Sequence, residues 1–156
     1  MKLYVDWSRA TSLKDGSHDG LIYTTDLTKL PKAAGVYVFG RRWGKAFEAL
    51  YVGKATNVRS RVKGQFNNLR LMQHVKSAKI GRRVVITARL NTRPGQRLQK
   101  CLTLVERTLI RFFLSEGHDL VNKLGVRIRR HEVISSGNHP KNSIPSPMYL
   151  ERGKGE

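Results

Sequence analysis

Cysteine and acidic side chains are scarce in this sequence, and long apolar runs are missing. The lone cysteine, Cys101, excludes an internal disulfide, and no group of Cys and His has the spacing of a zinc site. No apolar run approaches the roughly 20 residues that cross a bilayer. The first residues also lack the apolar core of a signal peptide, so we expect a cytoplasmic protein in a reducing compartment.

The shortage of acidic residues leaves the chain strongly basic. Lys and Arg number 30 against 11 Asp and Glu, which gives a formal net charge of +19. The basic residues are spread over most of the chain rather than gathered on one amphipathic helix, which argues against binding to a membrane surface. We therefore expect a polyanionic partner, nucleic acid first, and no membrane partner.

The length of 156 residues suits one domain, and the hydrophobic pattern predicts both strands and helices. β-Branched and aromatic residues predict strands at 36–39, 49–53 and 84–90. Apolar residues at helical spacing predict helices after the capping residues Thr56 and Asn57, over 69–78, and over 96–116 with a stop at Gly117. The chain thus alternates strand and helix around one core.

The two ends of the chain are less regular. Residues 1–34 are expected to pack at their ends and to loop between, with Trp7 as a core anchor. Past residue 124 the segment VRIRRHEVI is a further strand candidate. The tail behind it is rich in Ser, Gly, Pro and Asn, which is typical of a mobile segment or of an arm that contacts another subunit.

Glu106 is the most informative single residue. On a helical wheel of residues 98–113 it lies inside the apolar arc, whereas basic residues occupy the opposite side. A carboxylate on the buried side of a helix must be paired, protonated or metal-bound, because an unpaired buried charge costs several kcal/mol. Two interpretations stay open for this helix alone: an ion pair with an arginine at the rim of the core, or a functional carboxylate.

Two tyrosine–glycine triplets, Gly35-Val36-Tyr37 and Tyr51-Val52-Gly53, fall on the two strands of the predicted hairpin. The strands would bring both phenols to one place, and the glycines would let the backbone approach a ligand. Lys54 and Arg61 follow in the chain. A phenol, a carboxylate and two cations suit phosphodiester cleavage, although the tyrosines could also simply fill a face of the sheet.

The two triplets, followed by Lys54, Arg61, Glu106 and Asn122 in that order, resemble the GIY-YIG nuclease family. The run YVGKATNVRSRV is similar to the excision-repair branch of that family. The resemblance covers about residues 33–124, which would form the nuclease core between an N-terminal extension, 1–32, and a C-terminal extension, 125–156. It implies an α/β (α+β) sandwich, with a three-stranded antiparallel sheet flanked by helices.

The resemblance also implies a DNA endonuclease that leaves 5′-phosphate and 3′-hydroxyl ends. Glu106 would be the single protein ligand of Mg²⁺ or Mn²⁺, whose other ligands would be water and phosphate oxygens. Tyr37, assisted by Tyr51, would activate water. A free phenol has a pKa near 10, so we expect neighbouring cations and the metal to lower that of Tyr37.

The basic residues of the motif would handle the phosphate. Arg61 would clamp the scissile phosphate with its planar guanidinium. Lys54 would hold Tyr51 or a phosphate oxygen, and Asn122 would support the site or touch the phosphate. Further DNA contacts are expected from exposed side chains of the hairpin loop and the following helix: Arg41, Arg42, Trp43, Lys45, Arg59 and Lys63.

The sequence departs from the family at Gln65. Many members carry a tyrosine or histidine four residues after the helix arginine, and an amide cannot transfer protons in their place. His74 is a possible substitute, but an ordinary surface or core-edge histidine is the favoured interpretation. The alternative function is therefore a non-catalytic nucleic-acid-binding protein of the same fold. An RNA-binding protein would explain the charge but not the two tyrosine–glycine triplets. If the protein is a nuclease, a homodimer would let one site per subunit cut both strands of a duplex.

Overall fold

The computed structural model describes residues 1–121, 129–140 and 142–152, which form nine strands and three α-helices. The strands are β1 (Tyr4–Trp7), β2 (Thr11–Ser12), β3 (Lys14–Asp15), β4 (Tyr23–Thr24), β5 (Gly35–Trp43), β6 (Ala46–Ala55), β7 (Arg82–Asn91), β8 (Arg129–Val133) and β9 (Met148–Arg152). The helices are α1 (Val58–Gln65), α2 (Leu69–Ser77) and α3 (Leu98–Ser115). None of these helices is both long and apolar enough to cross a membrane.

The main sheet is antiparallel and has five strands in the order β1-β7-β5-β6, with β2 also paired to β7. The three predicted strands are confirmed as its β5, β6 and β7. The expected number of strands was too low, because β1 and β2 extend the sheet beyond β7. Trp7 lies on the edge strand β1 and is 42% exposed, so the expectation of a core anchor was wrong.

Helices cover both faces of this sheet, so the protein is a mixed α/β sandwich, as expected. On one face α1 and α2 bury Val62 and Met72 against Phe39 of β5. On the other face α3 buries Leu102 against Val36, and Ile110 against Val38. Residues 36–39 alternate between the two cores because successive side chains of a strand point to opposite faces.

Side-chain caps start two of the helices. The side chain of Asn57 accepts a hydrogen bond from the backbone N–H of Ser60 at the start of α1, as predicted. Asn68 caps α2 in the same way. The third helix begins two residues later than expected and ends before Gly117, whose φ of 85° lies in the left-handed region that favours glycine.

The outer edge of β6 is partly covered by the chain that follows α3. The backbone N–H of Val121 donates to the carbonyl of Leu50, and that of Ala49 donates to Nδ1 of His118 at 2.7 Å. Further along, β8 and β9 pair in a small separate sheet, which confirms the strand candidate in VRIRRHEVI for residues 129–133. Asn122 lies outside the described residues.

Candidate active site

The two motif tyrosines meet on the face of the sheet that α1 covers. Tyr37 of β5 pairs with Gly53 of β6, and Tyr51 lies diagonally across at the position opposite Phe39. The rings of Tyr37 and Tyr51 are stacked, with centroids 6.1 Å apart. The predicted convergence of the phenols is therefore present in the structure.

The motif glycines serve the fold rather than a ligand. A side chain at Gly53 would collide with the ring and hydroxyl of Tyr37, and one at Gly35 would collide with the backbone carbonyl of Ala88 on β7. We expected these glycines to open the backbone to a ligand, but the space beside each of them is filled by the protein itself. They allow one phenol to lie flat across β6 and two strands to approach each other.

Gln65 holds the two phenols together. Its Nε2 donates to the hydroxyl of Tyr37 at 2.7 Å and to that of Tyr51 at 3.2 Å, and its Oε1 accepts from Asn68. Gln65 is buried on α1, facing the sheet. The residue that departs from the family pattern is thus the hydrogen-bond centre of the tyrosine pair.

The chemistry of Tyr37 differs from what the sequence led us to expect. Its side chain is only 1% exposed, and burial raises the pKa of its phenol well above the ordinary value. The neighbouring Tyr51 raises this pKa further, while hydrogen bonds from Gln65 and Arg61 oppose the increase without overcoming it. We expected neighbouring cations to lower the pKa of Tyr37 below its ordinary value, and for the protein without a metal this expectation is wrong. Tyr51, which is half-buried, is the phenol closer to solvent.

Glu106 lies on the opposite face of the sheet, where α3 packs. Its side chain is buried, with 6% of the residue exposed, as the helical wheel predicted. Its partner is Lys54 of β6, whose Nζ is 3.6 Å from Oε1 of Glu106. The same Nζ lies closer to Thr103, whose hydroxyl accepts a hydrogen bond from it at 2.7 Å. The ion pair is therefore a loose one, and it involves a lysine instead of the arginine considered from the sequence.

This environment leaves the carboxylate short of stabilising partners. Burial raises the pKa of Glu106 above its ordinary value, and Lys54, Arg107 and Arg61 offset only part of that increase. A carboxyl group in this state gains more from a nearby cation than a solvated one does, because water competes less for it.

Arg61 connects the two faces. It lowers the pKa of Tyr37 against the effect of burial, and its charge also acts on Glu106. Around it an open groove of about 460 Å³ runs past the end of β6, between the first turns of α1 and α3. The groove is lined by Lys54, Ala55, Thr56, Asn57, Ser60, Arg61, Gln99 and Leu102. Leu102 lies one helical turn before Glu106, and Lys54 of the groove lining is the ion-pair partner of Glu106.

A divalent cation at this place would have one protein carboxylate. Among the described residues no group of three or more His, Cys, Asp and Glu side chains could hold a metal ion. The donor set fits a hard cation that takes Glu106 as its single protein ligand and completes its shell with water and phosphate oxygens. Such a cation would displace the Lys54 ammonium, which has Thr103 as a second partner.

The predicted DNA contacts divide into free and engaged side chains. Arg41 is only 7% exposed, its Nε donates to Glu48 at 2.8 Å and its guanidinium stacks on Trp43, so the expectation of an exposed cation at this position was wrong. Arg59 is held by the backbone carbonyls of Leu30 and Thr28 and is a structural residue as well. The other predicted contacts stay exposed: Arg42, Trp43, Lys45 and Lys63.

Sequence reasoning missed Thr103, because a threonine on a helix carries no signal of its own. Only the docking of α3 on β6 shows that its hydroxyl, which also donates to the carbonyl of Gln99, lies against Lys54. His74 contacts the backbone carbonyl of Asp119 at 2.9 Å, which fits the favoured interpretation of a core-edge histidine.

Comparisons with protein-family models, curated proteins and solved structures each gave no match. The family resemblance therefore rests on the motif residues and on their arrangement in this chain.

Proposed function

We propose that this protein is a metal-dependent endonuclease of the GIY-YIG type, which hydrolyses DNA phosphodiester bonds to 5′-phosphate and 3′-hydroxyl ends. The observation that carries the proposal is Glu106, a buried carboxylate whose loosely held ion-pair partner, Lys54, lines a basic groove. An ion pair kept for stability would be expected to be shorter and more fully hydrogen-bonded.

The scissile phosphate would lie in the groove beside Arg61 and Lys54. The guanidinium of Arg61 would hold two phosphoryl oxygens, and the ammonium of Lys54 would neutralise charge as it develops. Mg²⁺ or Mn²⁺ bound at Glu106 would supply Lewis-acid polarisation of the phosphate and a more acidic water.

The phenols would act on the attacking water. Tyr51 is our choice for the group that orients it, because it is half-buried whereas Tyr37 is enclosed. Tyr37 would instead support Tyr51 through the shared hydrogen bonds of Gln65. This reverses the roles that the sequence suggested for the two tyrosines.

The charge of +19 supports DNA as the polyanion to be bound. A homodimer that places one site on each strand is part of the proposal. Sedimentation of the protein with and without a duplex tests it, and a monomer under both conditions would argue against it.

The test of the activity is cleavage of supercoiled plasmid, with Mg²⁺, with Mn²⁺ and with chelator, by wild type and by Glu106→Gln. We expect metal-dependent nicking or linearisation by the wild type and none by Glu106→Gln at equal plasmid binding. A folded wild type that binds plasmid and leaves it intact with either metal would contradict the proposal. A matched RNA substrate separates DNA from RNA hydrolysis.

A non-catalytic DNA-binding protein is the second candidate, and Gln65 is the observation that favours it. An amide between the two phenols cannot transfer protons, and the enclosed Tyr37 is a poor base. Gln65→His distinguishes the candidates. Cleavage that appears only in Gln65→His would assign the wild type to the binding class, whereas cleavage by both proteins supports the nuclease.

A further inference from the structure

Four arginines lie side by side where β5 ends and β7 begins, and they form two cross-strand pairs. Arg41 is opposite Arg83, and Arg42 is opposite Arg82. Because neighbouring residues of a strand point to opposite faces, the two pairs lie on opposite faces of the sheet. The pairs have the same residue type and adjacent register, yet their surroundings differ.

The pair of Arg41 and Arg83 is saturated by the protein itself. Arg41 binds Glu48 and the backbone carbonyl of Ile80. Arg83 donates to the five backbone carbonyls that end α2 and lead into β7, those of Val75, Lys76, Ala78, Lys79 and Gly81. These two guanidinium groups hold the fold together and have little capacity left for a ligand.

The pair of Arg42 and Arg82 is exposed, and neither guanidinium has a hydrogen bond or ion pair with another of the residues that the structure describes. Like charges directly opposite each other on one face of a sheet are destabilising. Since local stability does not explain this pair, an external anion is the natural partner. The exposed Lys45 lies in the adjoining turn of the hairpin, so further positive charge is close by.

We propose that Arg42 and Arg82 together bind the phosphate backbone of duplex DNA at a second position, away from the groove. Arg42 is opposite Phe47 of β6, and Lys54 of the groove lies further along the same strand. At about 3.3 Å per residue, the two places are roughly 20 Å apart. That distance matches about six nucleotides along one strand of B-DNA, at 3.4 Å each.

This inference rests on the proposed function only for the identity of the polyanion, and its test does not use cleavage. The double variant Arg42→Ala/Arg82→Ala is compared with the wild type by fluorescence anisotropy on a 24-bp duplex, with chelator and over a range of salt. The control is Lys100→Ala/Arg111→Ala, which removes the same charge from exposed positions of α3.

If each arginine neutralises one phosphate, the slope of log K against log salt should shrink by about 1.8 in the double variant. Affinity at about 0.1 M salt should fall roughly tenfold or more, and the control should change clearly less. An equal change in both variants would overturn the proposal, because the effect would then be one of net charge.

Charge retention sharpens the test. Arg42→Lys/Arg82→Lys should restore most of the salt slope. Two results would overturn the proposal. In the first, the double alanine variant has a lower melting temperature, and the double lysine variant restores the melting temperature but not the salt slope. In the second, the double alanine variant loses binding to phosphatidylserine vesicles as strongly as it loses binding to the duplex.

Discussion

Two ion pairs occur among the described residues, and their geometry is very different. Arg41 and Glu48 are cross-strand neighbours in the β5–β6 hairpin, with Nε and Oε1 only 2.8 Å apart. Lys54 and Glu106 join β6 to α3 across 3.6 Å, and the lysine lies nearer to Thr103. The first pair has the geometry of a structural contact. The second leaves a buried carboxylate incompletely paired, a state that proteins keep mainly where function requires it.

The largest expected effect is a difference in DNA cleavage rate between variants of the two carboxylates, Glu106 and Glu48. Glu106→Gln should lower the cleavage rate by about 10³-fold or more, because a metal ligand contributes several kcal/mol to the transition state. Glu48→Gln, which removes the same charge, should change the rate by less than about threefold. Initial rates of plasmid nicking at matched concentration measure both. Similar losses in the two variants would remove the distinction between structural and functional pairs.

The unfolding free energy should depend more on Glu48 than on Glu106, which is the reverse of the order expected for the cleavage rate. Glu48→Gln leaves the buried guanidinium of Arg41 with a weaker partner, and we expect a loss of about 1–3 kcal/mol in unfolding free energy. Urea denaturation followed by circular dichroism measures this difference. Glu106→Gln serves as the comparison and should keep the wild-type stability at pH 7 or exceed it. A larger loss for Glu106→Gln than for Glu48→Gln would make the Lys54 pair the structural one.

The pH dependence of stability should carry the signature of Glu106. Burial raises the pKa of this carboxyl group above its ordinary value near 4.5, so the folded state holds the proton more tightly than the unfolded state. The contribution to stability is present below that value and is lost as pH rises through the raised pKa. The difference in unfolding free energy, Glu106→Gln minus wild type, should therefore grow as pH increases above about 4.5 in metal-free buffer. A difference that shrinks over this window would mean that Lys54 dominates.

The smallest expected effect comes from a substitution that should shorten the Lys54–Glu106 pair, so that it resembles the Arg41–Glu48 pair. Thr103→Val removes the hydroxyl that holds the Lys54 ammonium, so the ammonium should close on Glu106 and compete with a metal. We expect stability within about 0.5 kcal/mol of the wild type and several-fold weaker Mn²⁺ binding, measured by electron paramagnetic resonance. Thr103→Ser keeps the hydroxyl and should bind Mn²⁺ like the wild type. If Thr103→Val also binds Mn²⁺ unchanged, Thr103 does not set the position of the lysine.

Sequence periodicity was sufficient for the elements that form the site. The strands that carry Tyr37 and Tyr51, the cap at Asn57 and the burial of Glu106 all follow from patterns of neighbouring residues, and the structure agrees. The first two strands of the main sheet escaped prediction because β1 and β2 are short and their pairing with β7 is a long-range contact. Strand propensity is weak without the partner strand.

The functional state of individual side chains could not be predicted in this way. Arg41 and Arg42 are adjacent and look equivalent in sequence, but one is buried against Glu48 and the other is exposed. Similarly, Gln65 looked like the loss of a proton-transfer group, and the structure shows it bonded to both phenols. Each of these states depends on residues from other elements.

The basic character of this protein, its strands and helices, and the inward position of Glu106 follow from composition and periodicity, which act locally. Which cations are exposed, how far Lys54 stands from Glu106, and the enclosure of Tyr37 depend on the folded arrangement. Those properties arise from strand register and helix docking, which bring together residues such as Lys54 and Thr103 that lie 49 positions apart in the chain.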